Sequence, residues 1–189
     1  VAAYTGSKCI READHLVGEG FSVQANMMEN KGVCEAMASA FQAKTQTDAV
    51  EKRPPLARRI LDALNAAEAL GGDIRGKQSA AILTSNINSE GHIANEYGVN
   101  LRVDDHEHPL DELKRLLDLQ EGYDLLERGD ERLGHGDFDG AMKEYHNALQ
   151  RAPENREMRY WKAVALLQAN FRDEAYEVLE DLVRERRGW

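Results

Sequence analysis

The chain has 189 residues, enough to bury a proper core as one large domain or two small ones. A net charge of -10 argues against a nucleic-acid groove, which needs clustered Lys and Arg, and no apolar run approaches the roughly 18 residues that span a bilayer. No nucleic-acid or membrane partner is therefore expected.

Cys9 and Cys34 are too few for a disulfide framework and have no Cys-x-x-Cys spacing. They fit a reducing, cytoplasmic compartment and read as buried thiols rather than nucleophiles. The chain begins at Val1 with neither Met nor a signal-like segment, so either a removed upstream portion or a fragment is expected.

In chain order, "VAAYTG" (1–6) is a short apolar stretch closed by Gly6, read as a first strand. In "GFSVQANMM" (20–28), Phe21, Val23 and Ala25 alternate with Ser22, Gln24 and Asn26, the period of a strand with one buried face. Residues 31–43 place Val33, Met37 and Phe41 four apart, with Ala36 and Ala40 beside them, as on an amphipathic helix. Pro54 and Pro55 open a second helix with a Leu56, Ile60 and Leu64 stripe, stopped by Gly71 and Gly72. Strands are predicted at "SAAILTS" (79–85) and "VNLRVDD" (99–105), with a loop from Asn86 to Gly98 between them. The order strand, strand, helix, helix, strand, strand points to a layered α/β (α+β) arrangement.

From Pro109 onward the pattern is continuously helical, marked first by Leu110, Leu113, Leu116, Leu117 and Leu119. The stretch "GHGDFDGAMKEYHNALQRAPEN" (134–155) resembles the second half of a tetratricopeptide repeat. Gly136, Asp137 and Phe138 occupy the turn, Ala141, Tyr145 and Ala148 take small, large and small packing positions, and Pro153 ends the unit. Gly129 falls at the small position of the preceding helix. A second, weaker copy begins near Arg156, with Ala163 and Ala175 as its small residues, Leu179 and Leu182 following, and "NF" in place of Gly-Asp at the turn. Two repeats are fewer than the roughly three needed for a free-standing array, so they are expected to lean on a neighbour.

"VAAYTGSKC", "GEGFSVQANMM", "GGDIRGKQSAAIL" and "LRVDDHEHPLDELKRLL", in that order and spacing, resemble the C-terminal half of the domain-of-unknown-function 1028 family over residues 1–118. That family is grouped with the N-terminal-nucleophile (Ntn) hydrolases. The resemblance implies part of an αββα sandwich in residues 1–118, followed by an all-α repeat domain in 119–189, and a hydrolase acting on amide bonds of unknown substrate. In such enzymes an N-terminal Thr, Ser or Cys attacks while its own α-amine is the base. Val1 has no such side chain, so the nucleophile is expected upstream and the isolated monomer is expected to be inactive.

Gln24 and Asn26 either donate amide N–H to an oxyanion or are ordinary polar residues on a solvent-facing strand side. Arg75 either grips a substrate carboxylate, with Asp73 orienting it and Gln78 or Ser79 bonding nearby, or joins Asp73 in fixing a loop between Gly72 and Gly76. The run "DDHEH" (104–108) offers Asp104, Asp105, His106 and His108 as ligand types, but acids at a helix start explain it. No second ligand cluster stands out, so neither metal nor cofactor is expected. His15 with Thr5, Ser7 and Asp14 lacks the strand-turn elbow of a Ser-His-Asp set.

The expected partners are a second copy, the upstream half of the same domain, or a peptide or protein at the repeats, with Trp161, Phe171, Tyr176 and Trp189 available to cover an apolar end. Arg128, Arg132, Lys143, His146 and Arg159 are scattered among acids and form no clamp for an acidic tail. The alternative to an enzyme is a scaffold that binds through its helices.

Overall fold

A computed structural model describes residues 1–10, 12–43, 53–87 and 93–186. The predicted strand at 1–6 is instead irregular chain closed by a turn in which Cys9 N–H donates to Gly6 O at 3.1 Å. Its place is taken by β1 (Asp14–Gly18), which pairs antiparallel with β2 (Phe21–Ala25), Leu16 opposite Val23. Gly20, at φ 78, supplies the left-handed corner of the two-residue turn. β2 is shorter than predicted. Asn26 lies beyond it, where Met27 at φ 58 turns the chain.

Helix α1 (Val33–Gln42) lies against this hairpin and against α2 (Leu56–Ala69). The core here is Val23, Cys34 and Ala38, with Leu16, Phe21, Ala25 and Met37 packed on it. Cys34 is buried as expected, whereas Cys9, in the irregular segment before β1, is exposed. The α2 stripe is also rotated from the predicted one. Ala57, Leu61 and Ala63 are buried and Leu56 is 48% exposed, consistent with small side chains facing a neighbouring helix at close range. Phe41 fills the other end, 5.1 Å from the Phe21 ring and 4.0 Å beneath the Arg59 guanidinium.

β3 (Ala80–Ile87) and β4 (Ile93–Val103) form a second antiparallel hairpin that buries Ile82 and Val103. Much of the loop predicted between Asn86 and Gly98 is strand: Ile87 pairs with Ile93 and Ser85 with Tyr97, across register shifts that bend the ladder. The first part of the chain is thus a mixed α/β arrangement of two two-stranded sheets and two helices among the described residues.

The chain divides into compact units Val1–Lys114 and Arg115–Trp189, where the sequence suggested a boundary at 118. Helix α3 (Pro109–Gly134) carries residues of both. The second unit is all helical: the rest of α3, then α4 (Phe138–Arg151), α5 (Arg156–Gln168) and α6 (Arg172–Arg186). Its core joins Leu126, Ala141, Tyr145, Ala148, Met158 and Ala165.

Two glycines of α3 make this packing possible. A Cβ on Gly129 would lie 2.7 Å from Tyr145 Cε1, and one on Gly122 2.8 Å from Met158 Cε. The Tyr145 ring, fully buried, occupies the space that Gly129 leaves and donates its hydroxyl to Asp130 Oδ1 at 2.5 Å. Burial and this bond together hold the Tyr145 phenol far above its ordinary range.

The α3–α4 and α5–α6 turns share one geometry. Asp137 N–H reaches back to Arg132 O at 2.9 Å and Gly136 N–H to Leu133 O at 3.0 Å, a Schellman closure with Gly136 left-handed. Phe171 N–H to Leu166 O at 2.9 Å and Asn170 N–H to Leu167 O at 3.1 Å repeat it, with Asn170 at φ 65 in the glycine's place. Asn tolerates that region better than most residues, so the "NF" turn keeps the same closure. Phe171 stacks on Phe138 with ring centroids 4.6 Å apart.

Candidate functional site

The segment 71–79 is built from a helix end outward. Gly71 N–H bonds Glu68 O at 2.9 Å and Gly72 N–H bonds Ala67 O at 3.2 Å, a third Schellman closure, with Gly71 at φ 105 and Gly72 at φ 64. The chain is then held against the residues after β2: Glu29 N–H donates to Gly72 O and Ile74 N–H to Met27 O, both at 2.9 Å. Asn30 Nδ2 donates to Leu70 O at 2.8 Å, satisfying another carbonyl at the end of α2.

This path makes one wall of a cleft of about 520 Å³, lined by Met28, Leu64, Glu68, Asp73, Arg75, Lys77, Gln78, Ser79, Pro109 and Leu110. Four of the predicted site residues, Asp73, Arg75, Gln78 and Ser79, come together in it. Asp73 accepts from Arg75 backbone N–H at 2.8 Å, from Nε at 2.9 Å and from Nη2 at 2.6 Å. Those bonds hold the Asp73 carboxyl down at about 2 and raise the Arg75 guanidinium further.

A guanidinium has two edges able to grip an oxyanion, and Asp73 occupies the Nε–Nη2 edge. The Nη1–Nη2 edge belongs to a side chain that is 66% exposed. Lys77 Nζ pairs with Glu68 Oε1 at 2.9 Å, and Gln78 Nε2 donates to Asp105 Oδ1 at 3.2 Å. The cleft wall therefore carries compensated charge, with Arg75 as its oriented donor.

Gln24 and Asn26 are exposed and do not line this cleft, so the six predicted residues do not form one constellation. The other sequence candidates resolve as follows. Thr5 Oγ1 lies 2.6 Å from His15 Nδ1, but Asp14 Oδ1 accepts from the backbone N–H of His15 at 2.7 Å rather than from its ring. In the "DDHEH" run, Asp104 pairs with Arg102 at 3.3 Å, and His106 Nδ1 accepts from His108 backbone N–H at 2.9 Å.

In the helical unit, a groove of about 330 Å³ runs between α3 and α5, lined by Asp130, Leu133, Gly134, Trp161, Val164, Ala165 and Gln168. Trp161 is 44% exposed there and meets Tyr160 edge-on at 5.5 Å. Sequence reasoning assigned Trp161 to an apolar end and did not identify this groove. The available signal was a Trp three residues before Val164 on a helix whose buried side is Met158, Ala165 and Leu166.

A tetratricopeptide-repeat model matches residues 132–189. No curated protein matches the chain. A crystal structure of a DUF1028 protein from Silicibacter pomeroyi is similar at 28% identity and a TM-score of 0.44, over 61% of this chain and 45% of that one. The chain thus spans less than half the length of that relative. The model for a family of unknown function, DUF1028, matches residues 1–113, short of the expected 118, and placement within the family's C-terminal half is finer than this match supports. With well over half its length matched, the chain belongs to the DUF1028 family and continues into a tetratricopeptide-like repeat.

Proposed function

We propose that the protein is a partner-binding member of its family, whose helical repeat holds an extended protein segment in the groove between α3 and α5. The observation that carries this reading is Trp161, a large aromatic left 44% exposed in a concave groove beside Leu133 and Val164. Stacked helical repeats use such concave faces for binding, and exposed Trp is a typical anchor. Asp130, at the groove edge, suits a basic or hydrogen-bond-donating group next to an apolar residue of the partner. Peptides selected from a displayed library on the immobilised protein test this. Trp161→Ala is expected to weaken them at least tenfold with the far-UV circular dichroism unchanged; unaltered affinity refutes the groove.

A second reading concerns the first unit and is favoured by the Nη1–Nη2 edge of Arg75. In it, the unit serves amide-bond hydrolysis of the Ntn type, and Arg75 grips the carboxylate of the substrate while Asp73 fixes its angle. Gln78 and Ser79 lie along the same wall for further hydrogen bonds. The role proposed for Asp73, Arg75, Gln78 and Ser79 is binding and orientation of the substrate. N-acetyl amino acids are expected to shift the Arg75 guanidinium resonances, and the matching N-acetyl amines, which lack the carboxylate, are not. Equal responses to the two sets sink the carboxylate assignment. The non-catalytic alternative keeps the repeat's role and predicts no response to either set.

A further inference from the structure

We propose that the groove between α3 and α5 takes a Lys or Arg side chain of the partner segment, its alkyl stem against Leu133 and Val164 and its charge beside Asp130; this rests on the groove reading above. Long basic side chains suit a site that is apolar along its wall and anionic at its edge, because stem and charge have opposite requirements. Asp130 is exposed, yet its carboxylate is held in place: Oδ1 accepts the Tyr145 hydroxyl at 2.5 Å, and the Tyr145 ring is fully buried beside Gly129. The acceptor is therefore oriented before a partner arrives. Trp161, exposed in the same groove, offers a ring face that favours a cation over a neutral or anionic group.

Charge on both helices points the same way. At about 100° per residue, Glu127 lies about 60° from Asp130 around α3 and Glu157 about 40° from Trp161 around α5, so both share the groove side. Glu131 and Asp124 follow at about 100° and 120° from Asp130, on the Glu127 side of α3. The bases of these helices turn away and meet acids there. Arg128 and Arg132, at about 160° and 200° from Asp130, pair with Glu144 of α4, and Arg132 also pairs with Asp137. Arg156 and Arg159 pair with Glu185 of α6 at 3.5 and 2.6 Å, and Lys162 lines a different cleft, with Glu177 and Asp181. Arg115 shares the angle of Leu133, but it lies about 22 Å before Asp130 along α3. His135 and Arg172, next to the helix ends, do not line the groove, and His135 donates from Nδ1 to Glu131 O at 2.8 Å. Both α3 and α5 end at the groove, at Gly134 and Gln168, so the negative ends of two helix dipoles add to the acids. An acidic segment is repelled by every one of these groups, and a basic one is attracted by all of them.

Peptides selected from a displayed random library on the full chain are expected to carry Lys or Arg close to an aliphatic residue. In the tightest of them the base is replaced by a neutral mimic of its shape, acetyl-lysine for Lys or citrulline for Arg, and affinity is read by fluorescence anisotropy. The replacement is expected to weaken binding at least about fivefold, the upper end for a partly exposed charge pair, and the difference should narrow as salt rises. Asp130→Asn, which keeps an acceptor for the Tyr145 hydroxyl, should weaken the basic peptide about as much and leave the affinity of the neutral mimic unchanged, a coupling that ties the base to this carboxylate. Three outcomes overturn the inference while the groove reading stands: peptides that depend on Trp161 but carry no base, a base that can be neutralised without loss, or a base worth as much in Asp130→Asn as in the unaltered chain. A dimer in sedimentation that Trp161→Ala dissociates also overturns it, because a second copy would then fill the groove. Peptides indifferent to Trp161→Ala, or none selected at all, overturn both readings together.

Discussion

Gly129→Ala sets two opposing effects against each other in the interior of α3. Replacing a mid-helix Gly by Ala favours the helix by about 1 kcal/mol. The added Cβ, however, would lie 2.7, 2.9 and 3.1 Å from three ring atoms of Tyr145. That ring is fully buried and tethered through its hydroxyl to Asp130, so it cannot swing aside as the end of a flexible chain would. Overpacking of this kind costs about 1–3 kcal/mol, and a tethered ring places the cost in the upper part of that range. The net expectation is a loss of about 1–2 kcal/mol, where each kcal/mol lowers the melting temperature of a unit this size by about 4–8 °C.

Gly134→Ala, at the end of the same helix with nothing within 4 Å of its Cβ, is the control and should be neutral or stabilising. Calorimetric melts of the full chain decide it. A Gly129→Ala protein as stable as the Gly134→Ala protein refutes the close-packing argument. In a Tyr145→Phe background, which frees the ring, the penalty of Gly129→Ala should shrink, a coupling that a double-mutant cycle measures.

Three further outcomes are expected. Asp73 should titrate near 2 by NMR, and its contribution to stability should be complete above the ordinary carboxylate range near 4 and lost as the pH falls from there through 2; in Arg75→Ala the midpoint should return to the ordinary range. Asn170→Gly should be neutral or slightly stabilising, whereas Asn170→Val, forced to the same positive φ, should cost about 1–2 kcal/mol in chemical denaturation. Arg75→Ala should leave the melting temperature nearly unchanged while removing the response to N-acetyl amino acids; a large fall in melting temperature would mark the residue as structural.

How much of this was legible in the sequence depended on how local the determinants were. Gly129, Ala141, Tyr145 and Ala148 could be recognised because small and large residues at fixed helical spacings encode their own packing. Gly122 escaped because it is not among the positions that the repeat pattern marks as small, and its reason, the Met158 side chain of α5, is seen only once the helices are packed. β1 was missed for a similar cause: "DHLVG" has adjacent apolar residues and no alternation, and only the pairing with β2 makes it a strand. The division of "GGDIRGKQSAAIL" into helix end, polar connection and strand could be read from its glycines and its apolar run. Its attachment to Met27 and Glu29 through backbone groups could not, since a main-chain bond leaves no mark on residue identity.

That attachment bears on what Asp73 and Arg75 are for. The path of the connection is already fixed by the Schellman closure at Gly71 and Gly72 and by the bonds to Met27 and Glu29, all main-chain interactions that survive any side-chain change. An ion pair whose Arg is 66% exposed adds little to stability on top of these, because water screens it and two side chains must be held still. Stability is thus a weak reason for three bonds converging on one carboxylate. Orientation is a stronger one: with Nε and Nη2 pinned, the guanidinium plane is set, and its remaining edge points in a fixed direction at no further entropic cost on binding. A pinned, exposed Arg in a cleft is what a carboxylate-gripping site requires, and the contrast between an unchanged melting temperature and a lost ligand response in Arg75→Ala separates that role from a structural one.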